Sequence, residues 1–88
     1  MRLSDIATKI IATDDDGHIT LAIKVTVEND TDDEEVYVTM QGLDRDGFVV
    51  HELTVVGEIP PGESKVLTEK DDYVKRVIYD QVAEWRGK

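Results

Sequence analysis

The sequence predicts a mainly β fold: an immunoglobulin-like antiparallel β-sandwich of about five strands in one domain over residues 1–88. Three observations favour this fold class. Apolar and polar residues alternate along several short segments, Asp-Gly and Pro-Gly pairs separate those segments, and 88 residues leave room for one domain only. A chain of this length buries a small core, so the predicted domain is compact and modestly stable.

Residues 18–28 carry the clearest strand signal. Apolar side chains occupy every second position from Ile19 to Val27, with polar residues or alanine between them. A period of two places one side of a strand in a core and the other in water, whereas a helix would scatter the same residues around its surface. A weaker alternation over residues 6–13 precedes this strand. The intervening turn, residues 14–17, ends in Asp-Gly and favours a hairpin.

The segment that follows is polar and then alternates again. Residues 29–35 contain no apolar side chain and predict a loop. Residues 36–41 resume the alternation and predict a third strand. Gly42 beside Leu43 interrupts the pattern, which indicates a β-bulge.

Two further strands are predicted in the second half of the chain. The Asp-Arg-Asp-Gly turn at residues 44–47 leads into residues 48–56, which are rich in β-branched side chains on both faces. Two prolines make residues 59–63 a loop, because proline donates no hydrogen bond to a sheet. Residues 64–68 then predict a short fifth strand.

The C-terminal segment changes period and predicts a helix over residues 70–86. Thr68 and Asp71 resemble a capping box in which aspartate replaces glutamate, and Asp71 would suit the positive end of the helix dipole. A sixth strand is the alternative, since Tyr73 and Tyr79 also favour sheets. The apolar residues that would share one helical stripe are Val74, Val77, Ile78, Val82 and Trp85.

The order of these features resembles a known family. The resemblance covers residues 18–68, and the segments that carry it are Val25-Thr26-Val27-Glu28-Asn29, Leu43-Asp44-Arg45-Asp46-Gly47 and Ile59-Pro60-Pro61-Gly62-Glu63-Ser64. Together they resemble the bacterial FxLYD-type domains, which are small immunoglobulin-like sandwiches. Where that family has Phe-x-Leu-Tyr-Asp, this chain has Met40-Gln41-Gly42-Leu43-Asp44 and shares the aspartate. The resemblance implies the fold and no catalytic residues.

Charge and composition narrow the classes of partner. The formal net charge is −10 and there is no cysteine, so disulfide and thiol chemistry are excluded. An acidic surface repels phosphate groups, which argues against nucleic acid, and no apolar run approaches the roughly 20 residues of a membrane span. A protein partner or self-association is the expected interaction. Met1 is followed closely by Arg2 and Asp5 rather than by a signal peptide, so a cytoplasmic location is expected if the chain is complete.

No motif indicates an enzyme. The two serines, Ser4 and Ser64, do not lie in a nucleophile-elbow sequence, and no glycine-rich phosphate loop is present. The two histidines, His18 and His51, lack the further ligands of a transition-metal site. The sequence therefore predicts a protein that is not an enzyme and needs no cofactor, with Ca²⁺ as the one candidate ligand.

The acidic loop at residues 28–35 supports the calcium hypothesis. Calcium takes six to eight oxygen ligands, and sandwich loops often supply them. The candidate metal ligands are Asp30, Asp32, Asp33 and Glu35. The favoured alternative is a solvated loop, because the spacing of a dedicated calcium loop is missing.

Aromatic residues define the candidate interface. Trp and Tyr are favoured in protein interfaces, which makes Trp85, Tyr37 and Tyr79 the candidates. For Trp85 the favoured alternative is an anchor that attaches the C-terminal segment to the sandwich. The leading functional hypothesis is a non-catalytic protein-interaction or structural module, and calcium binding at the acidic loop is the alternative.

Overall fold

The computed structural model describes all of residues 1–88 and contains six strands and one short helix. The elements are β1 (Arg2–Thr13), β2 (His18–Glu28), β3 (Glu35–Leu43), β4 (Val49–Glu58), β5 (Ser64–Lys75), α1 (Arg76–Tyr79) and β6 (Glu84–Gly87). The predicted mainly β class is confirmed.

The strands form two antiparallel sheets of three strands each. Their orders are β1-β2-β5 and β4-β3-β6, so β2 and β3 are the central strands. The two sheets pack face to face as a small β-sandwich around one cluster of thirteen buried hydrophobic residues. The predicted inward face of β2 is confirmed, since the five apolar residues from Ile19 to Val27 are each at most 2% exposed.

β1 is longer than predicted and changes face partway along. It begins at Arg2 rather than at residue 6, and its pairing with β2 is irregular between Ser4 and Ala7. Asp5 has a positive φ of 52° at this irregularity. The shift of register allows both Leu3 and Ile6 to pack against the core, although strict alternation would place them on opposite faces.

Both predicted Asp-Gly turns are present and share one hydrogen-bonding pattern. The Oδ1 atom of Asp14 accepts the backbone N–H groups of Asp16 and His18, each at 2.9 Å. Asp44 repeats this pattern with the N–H groups two and four residues further on, again at 2.9 Å. These carboxylates therefore close hairpins, and Gly17 supplies the positive φ of 83° that the first turn requires.

The predicted helix over residues 70–86 is wrong in extent. β5 runs from Ser64 to Lys75 and pairs with β2 from Glu28 to His18, the full extent of β2, so residues 70–75 of the predicted helix form part of the sheet instead. The capping box does not form, because Thr68 pairs with Lys24 and Asp71 pairs with Leu21. Helix α1 contains four residues, and the alternative sixth strand is present as β6.

The C-terminal segment packs on a glycine of β3. Gly42 is buried, and a Cβ atom there would lie 3.0 Å from Val82 Cγ2 and 3.2 Å from Trp85 Cη2. Trp85 also meets His51 edge to face at a centroid distance of 6.2 Å. His51 Nε2 lies 3.1 Å from Asp71 Oδ2, so it joins β4 to β5 across the sandwich. The predicted irregularity at Gly42 is confirmed as a shift in the β3–β4 register.

Candidate functional site

The acidic loop between β2 and β3 is organised by a buried asparagine. The Asn29 Nδ2 atom donates to the backbone oxygens of Asp33 and Ile59, both at 2.7 Å. Its Oδ1 atom accepts the backbone N–H of Thr31 at 3.0 Å and the Thr31 hydroxyl at 2.6 Å. Asn29 is fully buried, so one side chain fixes both the acidic loop and the proline-containing loop.

The acids of this loop do not gather at one point. Nowhere in the structure do three or more His, Asp or Glu side chains lie where they could hold one metal ion. The Asp30 carboxylate instead pairs with the N-terminal ammonium group of Met1 at 2.7 Å, and this hydrogen bond lowers the pKa of Asp30. The Asp32, Asp33 and Glu35 side chains lie on an exposed loop and strand end. Calcium binding stays a prediction that this geometry does not favour.

The three candidate interface aromatics lie in two different environments. Trp85 and Tyr79 are partly buried and pack against the core, and the Tyr79 hydroxyl lies 3.0 Å from Thr8 Oγ1 of β1. Their contacts attach the C-terminal segment to both sheets. Tyr37 is 62% exposed on the outer face of β3, where it pairs in register with the exposed Val56 of β4. Of the three, Tyr37 offers the largest free surface.

β6 covers only the second half of its neighbour β3. The register runs from Leu43 opposite Glu84 to Met40 opposite Gly87, and the backbone N–H of Lys88 then donates to the Thr39 oxygen at 2.9 Å. No strand pairs with Glu35–Val38 on this side, whereas β4 pairs with the whole of β3 on the other. We call the unpaired side of residues 35–38 the β3 edge.

Backbone groups at the β3 edge point into open space. Because the Thr39 oxygen accepts a hydrogen bond from Lys88, the backbone groups of Thr39 point toward the β6 side. The direction alternates along an antiparallel strand, so the N–H and C=O groups of Tyr37 and Glu35 point the same way. These four groups form the start of a ladder that β6 does not reach.

A groove lies beside the second half of the β3 edge, at Tyr37 and Val38. Its volume is about 310 Å³, and its lining residues are Met1, Leu3, Tyr37, Val38, Thr39, Gly87 and Lys88. Leu3 of β1 lies across the groove from β3, in the opposite sheet, and packs against the core from there. The groove therefore combines an apolar wall with a backbone ladder, and the exposed Tyr37 ring lies on the outer face of β3.

The segment that leads into the β3 edge is acidic, whereas the groove itself is lined by two cationic residues, Met1 with its N-terminal ammonium group and Lys88. Residues 28–35 contain six carboxylates and no basic residue. Two nearby cations are already paired, Met1 with Asp30 at 2.7 Å and Lys88 Nζ with Glu52 at 3.8 Å. The Tyr37 hydroxyl donates to the Glu35 carboxylate, and this hydrogen bond raises the pKa of Tyr37, so the phenol stays neutral.

Sequence reasoning found one part of this site and missed the other. Alternation along residues 36–41 placed Tyr37 on the polar face and therefore indicated its exposure. The β3 edge depends on where β6 stops against β3, which are about 40 residues apart in the sequence. No local pattern encodes that stopping point.

Comparisons with known proteins found no protein-family model, no curated protein and no solved structure that matches the chain. The one helix, of four residues, is far too short to cross a lipid bilayer.

Proposed function

We propose that this protein is a non-catalytic protein-interaction module. The observation that carries the proposal is the β3 edge, an unpaired stretch of strand with the exposed Tyr37 ring beside it. Unpaired strand edges recruit other chains by main-chain hydrogen bonding, and proteins with no such role usually block them. The edge strand β1 pairs irregularly with β2, and such irregularities make an edge a poorer template for another strand. The pairing of β3 with β4 is regular from Glu35 to Gly42, so β3 keeps the shape of a regular strand.

We also propose that the sandwich is immunoglobulin-like. In that fold strands A, B and E lie in one sheet, and strands F, C and C′ are consecutive in the other. The orders β1-β2-β5 and β6-β3-β4 fit this arrangement, with β6 as strand F and no strand in the G position. Membership of the FxLYD-type domains stays a prediction, and its support is the residues 18–68 that resemble them.

A capture experiment tests the interaction function. The immobilised wild-type domain is expected to retain a defined protein from a lysate, and a Tyr37→Ser, Val56→Ser double variant is expected to retain at least tenfold less of it. These two residues are neighbours on the outer face of the β4-β3-β6 sheet.

Val66→Ser is the matched control, because Val66 is 52% exposed on β5 in the other sheet. It should capture the same protein at the wild-type level. If neither the wild type nor the control retains any protein, and native mass spectrometry shows only monomer, the proposal is wrong.

A further inference from the structure

The β3 edge has a defined register for an added strand. Gly87 lies opposite Met40, and Lys88 is hydrogen-bonded to Thr39. A strand that continues this register would therefore place its successive residues opposite Val38, Tyr37, Val36 and Glu35. Such a strand would be antiparallel to β3 and in line with β6.

Alternation fixes which side chains of that strand face inward. Residues opposite each other in a sheet point to the same face. Val38 and Val36 are at most 4% exposed, so the residues opposite them point inward toward the core, and the one opposite Val38 lies at the groove. A Cβ atom on Gly87 would lie 2.8 Å from Leu3 Cδ1, so the groove is shallow at the end where β6 stops. Small or β-branched apolar side chains fit these inward positions.

The outward positions of an added strand meet negative charge. They lie opposite Tyr37 and Glu35, and Glu35 is the last of the six acidic residues between positions 28 and 35. A Lys or Arg opposite Glu35 gains a carboxylate partner, and one opposite Tyr37 lies over an aromatic ring that attracts cations. Both outward positions therefore favour basic residues.

We propose that the β3 edge binds an extended cationic segment of a protein partner, with apolar and basic residues in alternation. The segment adds to the β4-β3-β6 sheet as an antiparallel strand that continues β6. This inference rests on the proposed interaction function and specifies the chemistry of the partner.

A second copy of this chain fits the edge less well. The formal net charge of each copy is −10, so two copies repel each other. In an antiparallel pairing of two β3 edges no basic residue would lie opposite Glu35, because residues 35–38 contain none. The cationic segment removes this repulsion and satisfies the same backbone groups.

The test uses an acetylated, amidated hexapeptide of alternating valine and lysine, added to the ¹⁵N-labelled full chain. We expect saturable shifts of the Glu35 and Tyr37 backbone amides and at least tenfold slower hydrogen exchange at Tyr37. An equally long peptide of alternating glycine and lysine has the charge without the apolar side chains, and one of alternating valine and glutamate has the opposite charge. Each is expected to bind at least tenfold more weakly.

Tyr37→Pro is the decisive variant, because it removes the backbone N–H that points away from β4, on the unpaired side of β3. Proline is tolerated where a strand N–H has no partner, so the variant should keep its fold and bind the valine–lysine peptide at least tenfold more weakly. Tyr37→Phe, the matched control, keeps the N–H and the ring and should bind within twofold of the wild type. If Tyr37→Pro does not fold, Glu35→Lys replaces it, with weakening of at least threefold expected.

Four results would overturn the inference. The first is equal binding of the glycine–lysine peptide, which would show attraction by charge alone. The second is a set of shifts confined to residues 30–34. The third is concentration-dependent protection of the Tyr37 amide without peptide, which would assign the edge to a second copy. Capture of a protein that depends on Tyr37 and Val56, without peptide binding, would leave the proposed function standing and this inference wrong.

Discussion

At the scale of single residues, Asn29 shows how one side chain can determine the shape of a loop. Its four hydrogen bonds hold the acidic loop in the conformation that leads into β3 at Glu35. The sequence marks Asn29 only as the polar residue that ends a strand. Its burial could not be predicted, because its partner Ile59 is 30 residues away in the sequence and is brought next to it by the fold.

Asn29→Ala is expected to destabilise the domain by roughly 2–4 kcal/mol, since it removes four hydrogen bonds at a fully buried position and leaves the buried Ile59 carbonyl without the Asn29 donor. Urea unfolding measures the change. Asp32→Ala removes an exposed side chain of the same loop and should change the free energy of unfolding by less than about 0.5 kcal/mol. Equal effects of the two substitutions would contradict the role assigned to Asn29.

The first hairpin turn has a pH-dependent contribution to stability. The backbone N–H of His18, followed by that of Asp16, lowers the pKa of Asp14. A lowered pKa in the folded state means that the ionised carboxylate favours folding. This contribution is present above the ordinary aspartate pKa of about 3.9 and is lost as the pH falls through the lowered value.

The difference in unfolding free energy between the wild type and Asp14→Asn should therefore shrink as the pH is lowered from neutrality to below 3.9. Chemical unfolding at a series of pH values measures this difference. Asp15→Asn removes a charge from the same turn without touching the two hydrogen bonds. Identical pH profiles for the two variants would contradict the explanation.

At the scale of elements, prediction succeeded where the signal is local and failed where a distant partner decides. The alternation in β2 and the two Asp-Gly turns act within a few residues, and both were predicted. Residues 70–75 carry a weak helical stripe, yet they lie in β5 because β2 offers a strand partner more than 40 residues earlier. The core-facing position of Trp85 was anticipated as the alternative to an interface.

The packing of β6 on β3 depends on the absence of a side chain at Gly42. Gly42→Ala should destabilise the domain by about 1–3 kcal/mol, because the new Cβ atom would overlap Val82 and Trp85. In a Trp85→Ala background the same substitution should have a smaller effect, since one of the overlapping side chains is gone. Urea unfolding of the four proteins gives the coupling energy, and additive effects would contradict this packing.

At the scale of the whole molecule, the domain is a thin slab with a single layer of core. Its extents are 43 × 27 × 16 Å, and 16 of its 88 residues are buried. Because so few residues are buried, each inward-facing residue of a central strand contributes a large share of the free energy of unfolding. The net charge of −10 adds repulsion that this small core must overcome.

Leu21→Asp should unfold the domain, because it places an unpaired charge at a fully buried position in the centre of β2. Far-ultraviolet circular dichroism should show loss of the sheet signal. Lys24→Ala, on the exposed face of the same strand, should change stability by less than about 0.5 kcal/mol. A folded Leu21→Asp variant would contradict the register of the central strand.

The groove at the β3 edge also brings the two chain ends together, since Met1 and Lys88 both line it. Ends that lie close at a surface permit circular permutation. A short glycine-rich connection from Lys88 to Met1, with new ends opened in the exposed turn at residues 14–17, would preserve both sheets. The connecting segment would lie across the proposed binding site for an added strand, so the permuted protein would be a folded form whose edge is closed by its own chain.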